Sequence, residues 1–310
     1  NHRHPPPRGP PPPGPPPPPP RPPPPHTPPP PPPPPPPPTP PPPPTPPPPP
    51  PPPPTPPPTP PAHPPPPPRH VRPEETEISL EARSRSYLAV NCGYCHAGDQ
   101  STVPGIWDGR EFVKLFDTGM IYGPAASDGG NTNNLLIVPG DIHHSIIWNR
   151  IAASNGFTRM PPLATTQLDP QSIQLIADWI TQDLPSRQSF AQWQIQHFGS
   201  TNHPDAGPGQ DPDQDGATNY EEFLAYTNPN DPFDVWTGHI TAQDGTAYVG
   251  YDLPNRFVTV EYSTNLIQQS WRYLAVDGNQ ALPLAPGLMR LLPVPETLPE
   301  AHFRFQIEEP

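Results

Sequence analysis

Cys92-Gly93-Tyr94-Cys95-His96 is the stretch best placed to do chemistry. Two thiols three positions apart can each add to a vinyl group of one haem and form thioethers. The histidine directly after the second cysteine then lies under the iron as its proximal ligand. These are the only two cysteines in the chain. A zinc site would need further ligands of this kind nearby, and none follow. A thioredoxin-like pair would sit in a βαβ setting, and the flanking sequence shows none. The expected cofactor is one haem c.

A second constellation lies at Asp211-Pro-Asp213-Gln-Asp215-Gly216-Ala217-Thr-Asn219-Tyr-Glu-Glu222. It fits the twelve-residue calcium loop D-x-D-x-D-G-x5-E. Ca²⁺ takes six to eight oxygen ligands. Asp211, Asp213 and Asp215 supply carboxylates at positions 1, 3 and 5, and Gly216 makes the sharp turn. Ala217 offers its carbonyl, Asn219 its side chain directly or through water, and Glu222 a bidentate carboxylate. One Ca²⁺ is expected, or two if Asp231 joins a weaker site.

The elements that must position these groups fall into blocks. Of the 72 prolines, 53 lie in the first 73 residues. Proline fixes φ and lacks an N–H, so residues 1–73 are expected as a polyproline II arm, roughly 195 Å long from Pro5 to Pro67 if straight. Thr27, Thr39, Thr45, Thr55 and Thr59 fit the O-glycan acceptors of Pro/Thr-rich stalks. The arm carries five Arg and no acid. The remaining residues carry eleven basic and twenty-nine acidic side chains, which argues against nucleic acid as a partner.

Residues 74–184 read as helical. Ile78 to Val90 leads into the haem motif with Leu80, Ala82, Tyr87, Leu88 and Val90 as its apolar stripe. Glu111 to Phe116 is a second short helix. Asp141 reads as the N-cap of a helix from Ile142 to Ala152. Asp169 as N-cap and Pro170 at the first position open a helix ending near Asp183. Phe190 to Phe198 and the exit helix after Glu222 flank the calcium loop in residues 185–232. Beyond Phe233, short alternating runs predict strands at 246–251, 256–263, 271–276, 288–292 and 302–308, a small antiparallel sandwich.

C-x-x-C-H, Trp107-Asp108, Val138-Pro139-Gly140-Asp141, Arg159-Met160-Pro161-Pro162-Leu163 and Asp178-Trp179-Ile180, in this order, resemble the monohaem cytochrome c domains of large exported bacterial proteins. The resemblance implies an all-α cytochrome c-like domain with His96 and Met160 as axial ligands. Met160 also suits the distal position chemically, because a thioether is soft and raises the potential. His143 and His144 are the rival distal ligands. The calcium loop and its Thr227-Asn-Pro-Asn-Asp231-Pro exit resemble the EF-hand-like modules of secreted bacterial proteins, which are often followed by a β-module. The whole chain is thus expected as a multi-domain protein: arm, haem domain, calcium loop and β-sandwich.

The function these features imply is single-electron transfer with a redox partner protein, outside the cytoplasm where haem c is attached. The chain begins at Asn1 with no signal peptide, which is expected of a processed chain. No apolar run is long enough to span a membrane. Two alternatives stand beside this. One is a structural subunit whose arms associate into a homo-oligomer or filament decorated with haem domains. The other is a haem enzyme such as a peroxidase, which needs an open iron position. No nucleophile elbow, H-E-x-x-H or Walker loop is present.

Overall fold

The computed structural model describes residues 69–310 apart from 102, 163–166, 268–269, 281 and 299. The proline-rich arm up to residue 68, and Leu163 of the Arg-Met-Pro-Pro-Leu run, therefore lie outside the described residues.

Helix α1 (Leu80–Asn91) starts where the Ser79 hydroxyl accepts the Ala82 N–H and ends at Cys92. Its buried face is largely polar: Glu81, Ser84, Arg85 and Ser86 are buried beside Ala82 and Leu88, whereas Val90 faces outward. An ion cluster makes this face tolerable. Arg187 reaches Glu81 at 2.8 Å and Asp183 at 3.1 Å, and Arg85 lies 3.5 Å from Glu81. Burial pushes the Glu81 carboxyl up, and the Arg187 and Arg85 charges oppose that.

Helix α2 (Ile146–Ile151) and helix α3 (Pro170–Asp178) supply the apolar counterface. Asp169 caps α3 through the Ser172 N–H, and Pro170 occupies its first turn. The helix then widens into a π turn, Trp179–Asp183, that buries Trp179 and Ile180 completely. These join Leu88, Trp107, Met120, Ile137, Ile147 and Ile176 in one core cluster.

The expected all-α cytochrome c-like domain is overturned. The described residues are 26% helical and 18% strand, the strands lying in two small sheets. Between 74 and 184 the described α-helices have 12, 6 and 9 residues. The span from 97 to 145 is built from turns, 3-10 turns and isolated bridges such as Ile121 with Ile137 and Pro124 with Leu135. Its glycine, asparagine and serine content carries no helical repeat, and turns at Gly119 (φ 71°) and Gly140 (φ 83°) demand left-handed backbone. The helix expected over 111–116 is a turn followed by a 3-10 turn, Leu115–Asp117. Asp141 does not open α2. Its carboxylate accepts the N–H groups of His143 and His144 in a local turn, and helix begins only after Ser145.

Helix α4 (Phe190–Phe198) and helix α5 (Asn219–Ala225) each open on a capping box, Ser189 with Gln192 and Thr218 with Glu221. They meet through Trp193, Phe223 and Leu224. Two antiparallel three-stranded sheets follow. One has the order β1 (His239–Gln243), β2 (Thr246–Tyr251), β5 (Arg290–Pro293). The other has β4 (Arg272–Tyr273), β3 (Phe257–Ser263), β6 (His302–Glu308). Their shared core holds Val249, Tyr251, Val258, Val260, Leu274 and Leu292. Arg256 joins this region to α5 by donating to the Leu224 and Phe223 carbonyls at 2.9 and 3.0 Å, the free acceptors at the helix end. No helix among the described residues is long and apolar enough to cross a membrane.

Candidate metal centres

The end of α1 shapes the thiol site. Cys92 caps the helix, and the Cys95 and His96 N–H groups both return to the Cys92 carbonyl at 3.0 and 2.8 Å. One tight turn therefore carries both thiols and the imidazole. Neither cysteine is in a disulfide. Burial, with Cys95 nearby, pushes the Cys92 thiol up to about 12, so it is no redox-active thiolate at neutral pH.

His96 is oriented from both sides. Its Nδ1 lies 3.4 Å from the Gly105 carbonyl, and its ring stacks on Trp107 with centroids 4.5 Å apart. That engages Nδ1 and leaves Nε2 as the ligating nitrogen. Burial lowers the His96 pKa, and the Arg150 charge lowers it further against the pull of the Gly105 carbonyl. The imidazole is therefore neutral at pH 7, as an iron ligand must be. The Gly109 N–H donates to the His96 carbonyl at 2.9 Å and fastens the 107–109 segment to the turn.

Two glycines permit that approach. A Cβ on Gly109 would lie 3.2 Å from the Gly93 Cα, and one on Gly93 would lie 2.7 Å from the Ala89 carbonyl oxygen. Gly93→Ala must displace backbone, so it should destabilise the chain by about 1–3 kcal/mol and reduce the fraction carrying haem. Urea unfolding and the haem-to-protein absorbance ratio check both, and unchanged values would show that the turn relaxes freely.

The residues present fit haem c. Two unpaired thiols and a neutral, oriented imidazole share one turn. Around it Val90, Tyr94 and Ile106 are 62, 93 and 77% exposed, an apolar surface that a macrocycle would cover. Met160 is half-buried, and its N–H donates to the Arg150 carbonyl at 3.1 Å, tying the sulfur-bearing segment to the end of α2. Of the rival ligands, His144 is held through Nδ1 by the Asp141 carboxylate at 2.6 Å, and His143 is exposed.

The acidic loop also closes as spaced. Asp211, Asp213 and Asp215 bring ligand oxygens within 4.8 Å of one another. Asp211 accepts the Gln214 and Gly216 N–H groups, and Gly216 turns at φ 101°. The Ala217 N–H bonds Asp215 at 2.7 Å. Glu222, on α5, is fully buried. One oxygen each of Glu222, Asp213 and Asp215 is buried without a hydrogen-bond partner. Unpaired buried carboxylate oxygens are costly unless a cation meets them. Burial, then the Asp213 and Asp215 charges, push the Glu222 carboxyl up to about 7. Asn219 is fixed by its amide donors to the Asp205 and Gly207 carbonyls at 2.6 and 2.8 Å, which leaves only its buried Oδ1 for an ion. Asp231 stands apart, exposed and accepting the Phe233 N–H.

Sequence reasoning missed Gly105, which acts through its carbonyl and so leaves no side-chain signal, and missed Arg150. Trp107 was visible in the Trp-Asp pair but not its stacking role. No protein family, curated protein or solved structure matches the chain.

Proposed function

We propose that the chain is a single-electron carrier holding one haem c through Cys92, Cys95 and His96, working outside the cytoplasm with a redox partner protein. The observation that carries this is the turn itself: two free thiols and an imidazole whose Nδ1 is engaged by Gly105, on one helix end. Bound haem c supplies an iron that alternates between ferrous and ferric states. The residues of the chain then have separate roles. Cys92 and Cys95 anchor the group covalently, and His96 ligates with an orientation fixed by Gly105 and Trp107. Met160, whose N–H is held by the Arg150 carbonyl, would offer the iron a thioether, a ligand that raises its potential. Ca²⁺ in the loop from Asp211 to Glu222 holds the entry of α5, which Arg256 fastens to the sheets. The scaffold for this is the mixed fold described above.

Spectroelectrochemical titration tests the reading. A reversible one-electron wave is expected, with a ferrous form that does not take up carbon monoxide. Rapid carbon monoxide binding would indicate an open iron position and a haem enzyme instead.

A further inference from the structure

Between the glycine and asparagine-rich loop and the end of α2 lies a cavity of 430 Å³ whose walls are mainly polar. Arg150, His143, His144, Asn131, Asn134 and Asn155 line it, and none of its lining residues is acidic. In a chain with twenty-nine carboxylates and sixteen basic residues this is a marked local reversal. Arg150 brings the one fixed positive charge among the lining residues, and the histidine and asparagine side chains can each donate or accept. Arg150 uses Nη1 on the Thr158 carbonyl at 3.0 Å and lies over the Phe157 ring at 5.5 Å. Among the described residues it forms no salt bridge, so most of its fork is unmatched by a carboxylate.

Two acids border the cavity, and both are engaged. Asp141 holds His144 Nδ1, which leaves Nε2 as the other ring position. Asp128 accepts the Gly130 N–H at 2.8 Å. Asn134 donates to the Asp128 carbonyl and Asn155 to the Asn149 side-chain oxygen on α2, which stiffens the wall.

We propose that this cavity binds a small oxyanion, a phosphate or small carboxylate, with Arg150 as its principal partner and the two histidines and the asparagines completing the donor set. The volume suits one such anion with its waters. The same chemistry could come from a carboxylate of the haem itself, and the experiment separates the two sources.

Inorganic phosphate is titrated into the full haem-loaded chain by calorimetry at pH 7, in low chloride. One saturable site is expected, weakened at least tenfold in Arg150→Gln and severalfold in the His143→Gln, His144→Gln double variant. The double variant keeps the test valid if Arg150→Gln folds poorly. Binding that neither variant changes, or that equimolar chloride abolishes, overturns the proposal. So does absence of phosphate uptake. If phosphate is excluded from the haem-loaded chain but taken up by the Cys92→Ser, Cys95→Ser chain, the cavity belongs to a haem carboxylate.

Discussion

Replacing Met160 with alanine should remove the near-infrared sulfur-to-iron band of the ferric protein and lower its midpoint potential by on the order of a tenth of a volt. The thioether stabilises ferrous iron relative to harder ligands, so its loss favours the ferric state. The expectation rests on where the chain holds this residue. Its N–H is bonded to the Arg150 carbonyl at the end of α2, and Pro161 and Pro162 stiffen the backbone that follows. The variant should also bind carbon monoxide when reduced. His143→Ala with His144→Ala should change neither the band nor carbon monoxide binding. If that double variant lost the band while Met160→Ala kept it, the distal ligand would be a histidine.

The second large effect is expected at the calcium loop. Without a cation, Glu222 is buried beside Asp213 and Asp215 and its carboxyl is raised to about 7. A raised carboxyl contributes stability that is complete below its unfolded value, near 4.5, and lost as pH rises through about 7. The metal-free chain should therefore unfold at lower urea at pH 8 than at pH 5.5. Calcium reverses the trend, since it needs the ionised form and competes with the proton. Its apparent affinity should fall by about twentyfold between pH 7.5 and 5.5 from this one group. Glu222→Gln should weaken binding and flatten that pH dependence. Calorimetric calcium titrations at the two pH values check this, and equal affinities at both would remove Glu222 from the site.

What was legible in the sequence was mostly local. Ser, Asp and Pro at helix starts act within four residues, so Asp169-Pro170 marked α3 correctly, and the alternation of Phe303, Phe305 and Ile307 is the inward side of β6. The clustering of Asp211, Asp213 and Asp215 could be read because these carboxylates sit at fixed offsets in one turn. What was lost depends on distant partners. The polar buried face of α1 makes sense only once Arg187, about a hundred residues later, reaches Glu81. Strand β1 was missed because it is an edge with Ile240 77% exposed, although Asp244-Gly245 after it is a strong hairpin turn. The all-α expectation failed between 97 and 145 because a family resemblance was carried across a loop whose residues have no helical period. The anion cavity was invisible because its donors come from three segments that meet only in the folded chain.

The central claim is the covalent haem at Cys92 and Cys95, and mass spectrometry of the denatured chain, purified from cells able to attach haem c, tests it most directly. The mass of the polypeptide plus one haem is expected, falling to the polypeptide alone in the Cys92→Ser, Cys95→Ser double variant. A wild-type chain at its bare polypeptide mass, made under conditions where a control c-type protein is loaded, would contradict it.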